Sequence, residues 1–309
     1  MRIFVTGAAG HVGSAIVDLL ARQHAVVALC RESQCRSFTG VQPLRATLGD
    51  TDFIERVTTG TEPCDAIVHS AASLSLDPNS AVVSRTNCAG TQQVLELARK
   101  WKVSSLVYIS SVQVIGTPRE HPVTEDHPAF PETVYHASKL FGEHLMTLAA
   151  REGLRAISLR LTSPVGRGMR SDRIFPTFIQ HAAANRELVV AGQGTRRQDY
   201  IHAKDAARAV RAAVETPVAS GVYQIGRGES VSNLELARMC VRALGSISQI
   251  RFDGMDSQEG VVWDVSIGKA RSALGFEPAI SLEQTILEMA PAGDGTETVV
   301  RGGGGPNGH

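Results

Sequence analysis

A β-strand running straight into three glycines spaced three residues apart limits what this chain can fold into more than any other feature. Arg2–Thr6 (RIFVT) is β-branched and aromatic and reads as a buried strand. Gly7-Ala8-Ala9-Gly10-His11-Val12-Gly13 follows, then Ser14–Arg22 (SAIVDLLAR), whose Ile16, Val17, Leu19 and Leu20 fall on one helical face. Ala25–Leu29 (AVVAL) is the next apolar run. Strand, glycine turn, helix and strand within about thirty residues make a dinucleotide-binding unit. Gly7 allows the tight turn, Gly10 lets the backbone approach a pyrophosphate, and Gly13 lets helix and strand pack. Ala9, His11 and Val12 complete the loop, beside a helix N-terminus that offers unpaired N–H groups and a positive dipole end. Glycines alone also serve plain tight turns. Their position between strand and helix is what selects nucleotide binding.

At 309 residues the chain can bury a substantial core, in one large domain or two. Its formal charge is zero, which gives no electrostatic footprint for nucleic acid or an anionic membrane. The N-terminus is already a core strand, so no signal peptide fits, and no apolar stretch reaches the length of a membrane span. A cytoplasmic protein is expected. The five cysteines (Cys30, Cys35, Cys64, Cys88 and Cys240) form no CxxC pair and have no histidines at metal spacing. Neither disulfides nor a metal site is expected.

Strands and helices then alternate. Leu44–Leu48, Ala66–Ser70, Leu106–Ser110 and Ala156–Leu161 read as strands, with helices at Thr51–Val57, Asn87–Lys100 and Val134–Arg151. This predicts an α/β fold, a Rossmann-type doubly wound parallel sheet covered on both faces. The second half is less regular. Helices are expected at Phe175–Ala184, Ala203–Val214, Asn233–Ala243 and Leu282–Ala290, with short strands at 188–190, 199–202, 222–225 and 250–252. The division expected is a dinucleotide-binding domain over 1–164 plus about 198–226, and a smaller α/β substrate-binding lobe from 165–197 and 227–290. Residues 291–309, glycine-rich and ending GGGGPNGH, are expected to be disordered.

Tyr135-His136-Ala137-Ser138-Lys139 carries the chemistry. Tyr135 and Lys139, four apart on a helix, lie one turn from each other on the same face. A free phenol is a poor acid or base at neutral pH, and an adjacent ammonium moves it toward the working range. The same lysine can hold the ribose hydroxyls of a nicotinamide nucleotide. Such a pair also arises by chance as a surface contact. Ser110 and Ser111, at the end of the strand through Leu106, emerge where ligands sit in an open parallel sheet, beyond the carboxyl ends of its strands. Glycine loop, serine and YxxxK in this order make coincidence improbable.

The chain resembles the extended short-chain dehydrogenase/reductases, the NAD(P)-dependent epimerase/dehydratase family, over roughly residues 1–290. The matching pieces include TGAAGHVG at 6–13, LGD at 48–50, HSAA at 69–72, NCAGTQQVLELA at 87–98 and YISSVQVIG at 108–116. They continue with YHASK at 135–139, LRLTSPVGRG at 159–168, QDYIHAKDAARAV at 198–210, VYQIGRGESVSNLELA at 222–237 and DVSIGKARSALGFEP at 264–278. The resemblance implies that Ser111 is the catalytic serine, Tyr135 the acid/base and Lys139 its partner. It implies that Asp50, with Thr51 beside it, reaches the adenine, that Ala71 and Ala72 line the cofactor next to Ser73, and that Asn87 supports the hydrogen bonding. A homodimer packed through two helices per subunit is also implied.

Departures from the family pattern set the subtype. NAD-preferring members carry an acid at the end of the second strand; here Cys30 is followed by Arg31, with Ser33 and Arg36 nearby. Nothing there repels a 2′-phosphate, so NADP(H) is favoured over NAD(H), the alternative being that Arg31 is an ordinary solvated charge. The family's dehydratases place acidic residues directly after the serine, whereas this chain has Val112 and Gln113, which disfavours dehydration. Carbonyl reduction, alcohol oxidation and C4-type epimerisation remain. Sugar-nucleotide members commonly show Asn before Pro164 and Arg before Asp199, and this chain has Ser163 and Gln198. Arg167, Arg196 and Arg197 are candidate phosphate contacts or plain surface charges. A nucleotide sugar is the leading substrate, and a non-nucleotide carbonyl the alternative. A non-catalytic dinucleotide sensor on the same fold would be free to lose Tyr135 or Lys139, and both are present.

Overall fold

The computed structural model describes residues 1–31, 38–75 and 77–291. Its elements follow the expected alternation: β1 (Arg2–Thr6), α1 (His11–Leu20), β2 (Ala25–Cys30), β3 (Gln42–Arg45), α2 (Phe53–Gly60) and β4 (Ala66–His69). Next come α3 (Ala81–Val83), α4 (Gly90–Trp101), β5 (Ser105–Ser111), α5 (Val134–Arg151) and β6 (Ala156–Leu161). The second half holds β7 (Ser163–Val165), α6 (Ile174–Ala183), β8 (Leu188–Ala191), β9 (Arg197–His202), α7 (Ala203–Glu215) and β10 (Gly221–Ile225). It ends with β11 (Ser230–Ser232), α8 (Asn233–Ala243), β12 (Ile250–Asp253), α9 (Gly268–Leu274) and α10 (Leu282–Met289).

Seven strands form one sheet in the order β10-β6-β5-β4-β1-β2-β3, and every pairing is parallel. The strand order reverses direction at β1, so the glycine loop leaves the sheet at its topological switch point. Both faces are buried, and alternate residues divide between them. Ile3 and Val5 of β1 pack with α1, α7 and α9, while Phe4 between them packs with α2, α4 and α5. Phe4 is wholly buried, with its ring edge-on to Trp101 at 5.4 Å, so Phe4→Ala would cost about 3–5 kcal/mol. The alanines of α7 (Ala206, Ala207, Ala209 and Ala213) let that helix approach α1 closely.

A second core gathers Phe175, Phe178, Ile179, Leu188, Val190, Tyr200, Leu236, Cys240 and Ile286. Two small sheets accompany it: β11-β9-β7, and β12 paired with β8.

Some boundaries differ from expectation. The third strand is Gln42–Arg45, not Leu44–Leu48, because the chain pairs with β2 through Arg45 and turns away before Leu48. The first helix starts at His11 inside the glycine loop. The helix expected from Asn87 is preceded by Ala81–Val83 and a wider, π-type turn at Ser84–Ala89. β7 and β11 are short additions. From 292 onward, the tail expected to be disordered lies outside the described residues. Among the described residues, no helix is long and apolar enough to cross a membrane, and no cluster of His, Cys, Asp and Glu could hold a metal ion.

Candidate active site

The glycine loop forms a cradle that side chains would fill. Gly7 adopts φ +70°, and a Cβ there would lie 2.6 Å from the Ala71 nitrogen. A Cβ on Gly13 would collide with the Gly7 carbonyl, so that glycine sets how closely α1 packs on the turn. Gly10 is different: it is exposed, its N–H donates to the Gly7 carbonyl at 2.9 Å, and it caps α1 with no side chain to satisfy the first-turn N–H groups. Ala9 is exposed beside it, and Val12 is half-buried. The His11 ring nitrogens are buried without a hydrogen-bond partner. Burial holds that imidazole below its usual range, against the pull of the Arg167 and Pro164 carbonyls and with the help of nearby His202.

A buried hydrogen-bond chain ties this loop to the rest of the site. The Ala71 N–H donates to Thr6 Oγ1 (3.2 Å), which lies 2.7 Å from His69 Nδ1. His69 Nε2 lies 2.9 Å from Thr91 Oγ1, whose hydroxyl donates to the Asn87 carbonyl at 2.5 Å. Because Thr91 spends its proton on Asn87, His69 must carry its proton on Nε2 and accept from Thr6 on Nδ1. Burial pushes the imidazole down to about 3, with Lys139 adding to the effect, so the ring is neutral and held in one tautomer. The Asn87 side chain then accepts from the Ser73 N–H (2.7 Å) and donates to the Ser73 carbonyl (3.1 Å) and to Ser138 Oγ (2.8 Å). Ser138 donates in turn to the Tyr135 carbonyl at 2.7 Å.

Tyr135, Lys139 and Glu143 occupy successive turns of α5, which starts from a Thr133 cap that accepts from the His136 N–H. Lys139 is buried, its Nζ donating to the Ile109 carbonyl at 2.8 Å, two residues before Ser111. The same Nζ lies 4.9 Å from the Tyr108 ring centroid and 5.9 Å from that of Tyr135. Burial lowers the ammonium to about 7, with Glu143 opposing the shift, and burial raises the Tyr135 phenol to about 12. Ser111 ends β5 half-buried and accepts from the Gln113 N–H at 3.2 Å. Ser110 faces the other way and donates to Glu143 at 2.5 Å. Gly142 leaves the space that the Tyr108 hydroxyl occupies.

Other expected residues are placed as follows. The Asp50 carbonyl accepts from Gln93, Thr51 is exposed, and Ala71 and Ala72 are half-buried at the end of β4. Exposed Arg31 follows β2, and Ser33 lies outside the described residues. Ser163 is on β7, opposite Tyr200 of β9. Arg167 donates to the Glu288 carbonyl at 2.8 Å. Arg197, one of the candidate phosphate contacts, pairs with Glu235 at 3.0 Å and donates to the Ser230 carbonyl and hydroxyl. Its neighbour Arg196 has a buried Nε with no partner. Glu143, Arg160, His69 and Thr91 were not singled out from sequence. Glu143 was within reach, four residues beyond Lys139 on the same helical face.

The family model described as the NAD dependent epimerase/dehydratase family matches residues 3–226. A dTDP-glucose 4,6-dehydratase of Streptomyces niveus is 29% identical, the match covering 93% of this chain and 91% of that protein. A UDP-glucose 4-epimerase of Streptomyces lividans is also 29% identical, over 90% of this chain and 92% of its own. The crystal structure of the Thermotoga maritima UDP-glucose 4-epimerase with UDP-glucose shares the fold at a TM-score of 0.84 and 24% identity, covering 94% of this chain and 97% of that one. A UDP-glucuronic acid 4-epimerase from Bacillus cereus, in complex with UDP-glucuronic acid and NAD, gives 0.81 at 25% identity, with 94% and 98% coverage. With the match running from the glycine loop through the sheet's last strand, this chain belongs to the NAD dependent epimerase/dehydratase family, in the extended short-chain dehydrogenase/reductase superfamily.

Proposed function

We propose that this protein is an NADP(H)-using oxidoreductase or epimerase acting at a carbinol or ketone carbon of a nucleotide sugar, by C4-type epimerisation or ketoreduction. The observation that carries the reading is Lys139, buried and anchored to the Ile109 carbonyl between the Tyr135 ring and the strand that ends in Ser111. The cradle fits a dinucleotide: side chains are absent at Gly7, Gly10 and Gly13, and the first turn of α1 carries no side-chain cap. A nicotinamide bound there supplies or accepts the hydride. Tyr135 gives a proton to the carbonyl oxygen in reduction and takes it back in oxidation. A phenol pushed up to about 12 is a weaker acid than a free one and leaves almost none of the phenolate that a base role needs, so both roles depend on the Lys139 ammonium beside it. Ser111 donates to the same oxygen and orients it. Asn87, through Ser138, fixes the start of the helix that bears Tyr135.

The cofactor preference rests on Cys30, which stands where NAD-preferring members carry an acid, and on Arg31 after it. Dehydration is disfavoured: Val112 is buried among Val114, Trp263 and Val265, and Gln113 has only an amide to offer. Residues 165–197 and 227–290 make the substrate lobe, and Ser73, Ser163, Arg167 and Arg197 are the proposed substrate contacts. A homodimer packed through two helices per subunit is expected, and the outward face of α5 exposes Phe141 and Leu148. One observation favours a second reading, a non-nucleotide carbonyl: Gln198 stands at the family's arginine position while Arg197 is already paired with Glu235.

Incubation with NADPH and 4-keto nucleotide sugars, alongside UDP-hexoses, tests the reading. Stoichiometric NADPH oxidation marks a reductase, and sugar inversion without net redox change marks an epimerase. If no nucleotide sugar is turned over or raises the melting temperature, the sugar-nucleotide assignment is wrong. Tyr135→Phe should keep NADPH affinity within about twofold and lower kcat by about 10²–10⁴.

A further inference from the structure

Directly after Tyr135 the helix carries a polar side chain that the chemistry above does not use. The His136 ring stands edge-on to the Tyr135 ring, with centroids 5.0 Å apart and planes 65° apart. Its Nδ1 lies 2.8 Å from the Thr133 hydroxyl oxygen, which also accepts the His136 N–H at 3.2 Å. One hydroxyl thereby fixes both the main chain and the ring of the same residue. Burial holds the imidazole below its usual range, with Glu132 opposing the shift, so a neutral ring is there to accept the threonine proton on Nδ1. The cap is itself anchored. Glu132, the residue before Thr133, accepts from the Thr117 N–H at 3.0 Å and from its hydroxyl at 2.7 Å. Gly116, at φ +71°, lies so near Phe130 that a Cβ would run into the Phe130 carbonyl. The segment that leaves Ser111 is thus tied to the turn that starts α5.

We propose that His136, tethered by Thr133, is a positioning residue that holds the Tyr135 ring at the angle its proton transfer needs. The inference rests on the functional reading above only for its catalytic consequence. A phenol that exchanges a proton with the substrate must keep its hydroxyl free for the substrate oxygen. Its orientation then has to come from contacts to the ring. Lys139 Nζ, 5.9 Å from the centroid, is a point charge and sets no ring angle. An edge-to-face aromatic pair does have a preferred geometry, and His136 supplies it. Leu140, one turn beyond His136 on the same helical face, packs against Val112, Val114, Trp263 and Val265. That face of α5 is turned toward the segment that follows Ser111, so His136 stands on the Ser111 side of the helix.

His136→Ala separates the ring from the cap, since the backbone N–H still reaches Thr133. It should lower kcat about tenfold, as expected for one lost aromatic pair, while KM and NADPH affinity stay within about twofold. His136→Phe restores an edge without the Nδ1 bond and should bring kcat back to within about threefold of wild type. In a Tyr135→Phe background His136→Ala should cost nothing further, because the group it orients is gone. Ring motion gives a readout that needs no substrate. The chain has four tyrosines (Tyr108, Tyr135, Tyr200 and Tyr223), so ¹³C relaxation of labelled tyrosine rings resolves Tyr135, assigned by its loss in Tyr135→Phe. In His136→Ala the Tyr135 order parameter should fall from about 0.85 to below about 0.6 while the other three hold. Should His136→Ala fail to fold, His136→Leu keeps the volume without the flat edge and should show the same loosening. A Tyr135 ring that stays ordered in the folded variant overturns the proposal. So does a loosened ring with unchanged kcat, or a kcat loss of the same size in the Tyr135→Phe background. A loosened ring in a protein that turns over no nucleotide sugar supports the positioning and overturns the functional reading instead.

Discussion

The Lys139 ammonium nitrogen lies 2.8 Å from the carbonyl oxygen of Ile109, tying the middle of α5 to the strand that ends in Ser111. The bond orients the lysine, but burying the charge destabilises the fold. In the folded chain the group titrates near 7, against 10.5 ordinarily. Between those values the unfolded chain binds more protons, so stability rises with pH, and the penalty is full only below about 7. Lys139→Met should lower kcat at least about a hundredfold. Its melting temperature relative to wild type should be more favourable at pH 6 than at pH 9, as calorimetry at the two values would read.

Gly10 and Gly13 should respond differently to the same change. An alanine at Gly13 meets the Gly7 carbonyl and forces α1 off the turn, so Gly13→Ala should lower the melting temperature and abolish dinucleotide binding. An alanine at exposed Gly10 meets that oxygen at 3.2 Å, a tight but adjustable contact. Gly10→Ala should keep the wild-type melting temperature within a few degrees and weaken NADPH binding about tenfold, as followed by nucleotide fluorescence.

Arg31→Ala tests cofactor choice. A guanidinium paired with a 2′-phosphate contributes about 1.5–3 kcal/mol, so NADPH affinity should fall by about tenfold or more while NADH affinity stays nearly constant. Equal losses for both nucleotides would reject the charge argument.

His69 predicts an acid-sensitive fold. Its folded value near 3 lies below the ordinary 6.5, so the unfolded chain binds more protons between them and stability is lost as pH falls through that window. The loss attributable to this group is on the order of 4 kcal/mol by pH 3. His69→Phe should cost about 2–3 kcal/mol at pH 7.5, through the stranded Thr6 and Thr91 hydroxyls, and flatten the dependence between pH 6.5 and 5 in urea unfolding.

Asp199 accepts from Thr162 and the Arg227 N–H on one oxygen and from the Gly228 N–H on the other. An asparagine offers one acceptor and sets its own N–H₂ against a donor. Asp199→Asn should therefore destabilise the protein by about 2 kcal/mol, read from chemical denaturation.

The sheet, the glycine cradle and the Tyr135–Lys139 pair were legible because each is a local pattern. Strands with both faces buried appear as unbroken apolar runs, the glycines follow a strand and open a helix, and a spacing of four on a helix means one face whatever surrounds it. Three-residue strands such as Ser163–Val165 and Ser230–Ser232 are too short to carry a period, and their pairing partner is decided by the fold. The same limit hid the pairing of Arg197 with Glu235, the chain from Thr6 through His69 to Thr91, and the Glu143–Arg160 ion pair. Sequence shows which polar groups exist, but what they do depends on which of them are taken out of water together. Thr6 and His69 are 63 residues apart, and only the parallel pairing of β1 with β4 buries them side by side, where each must satisfy the other.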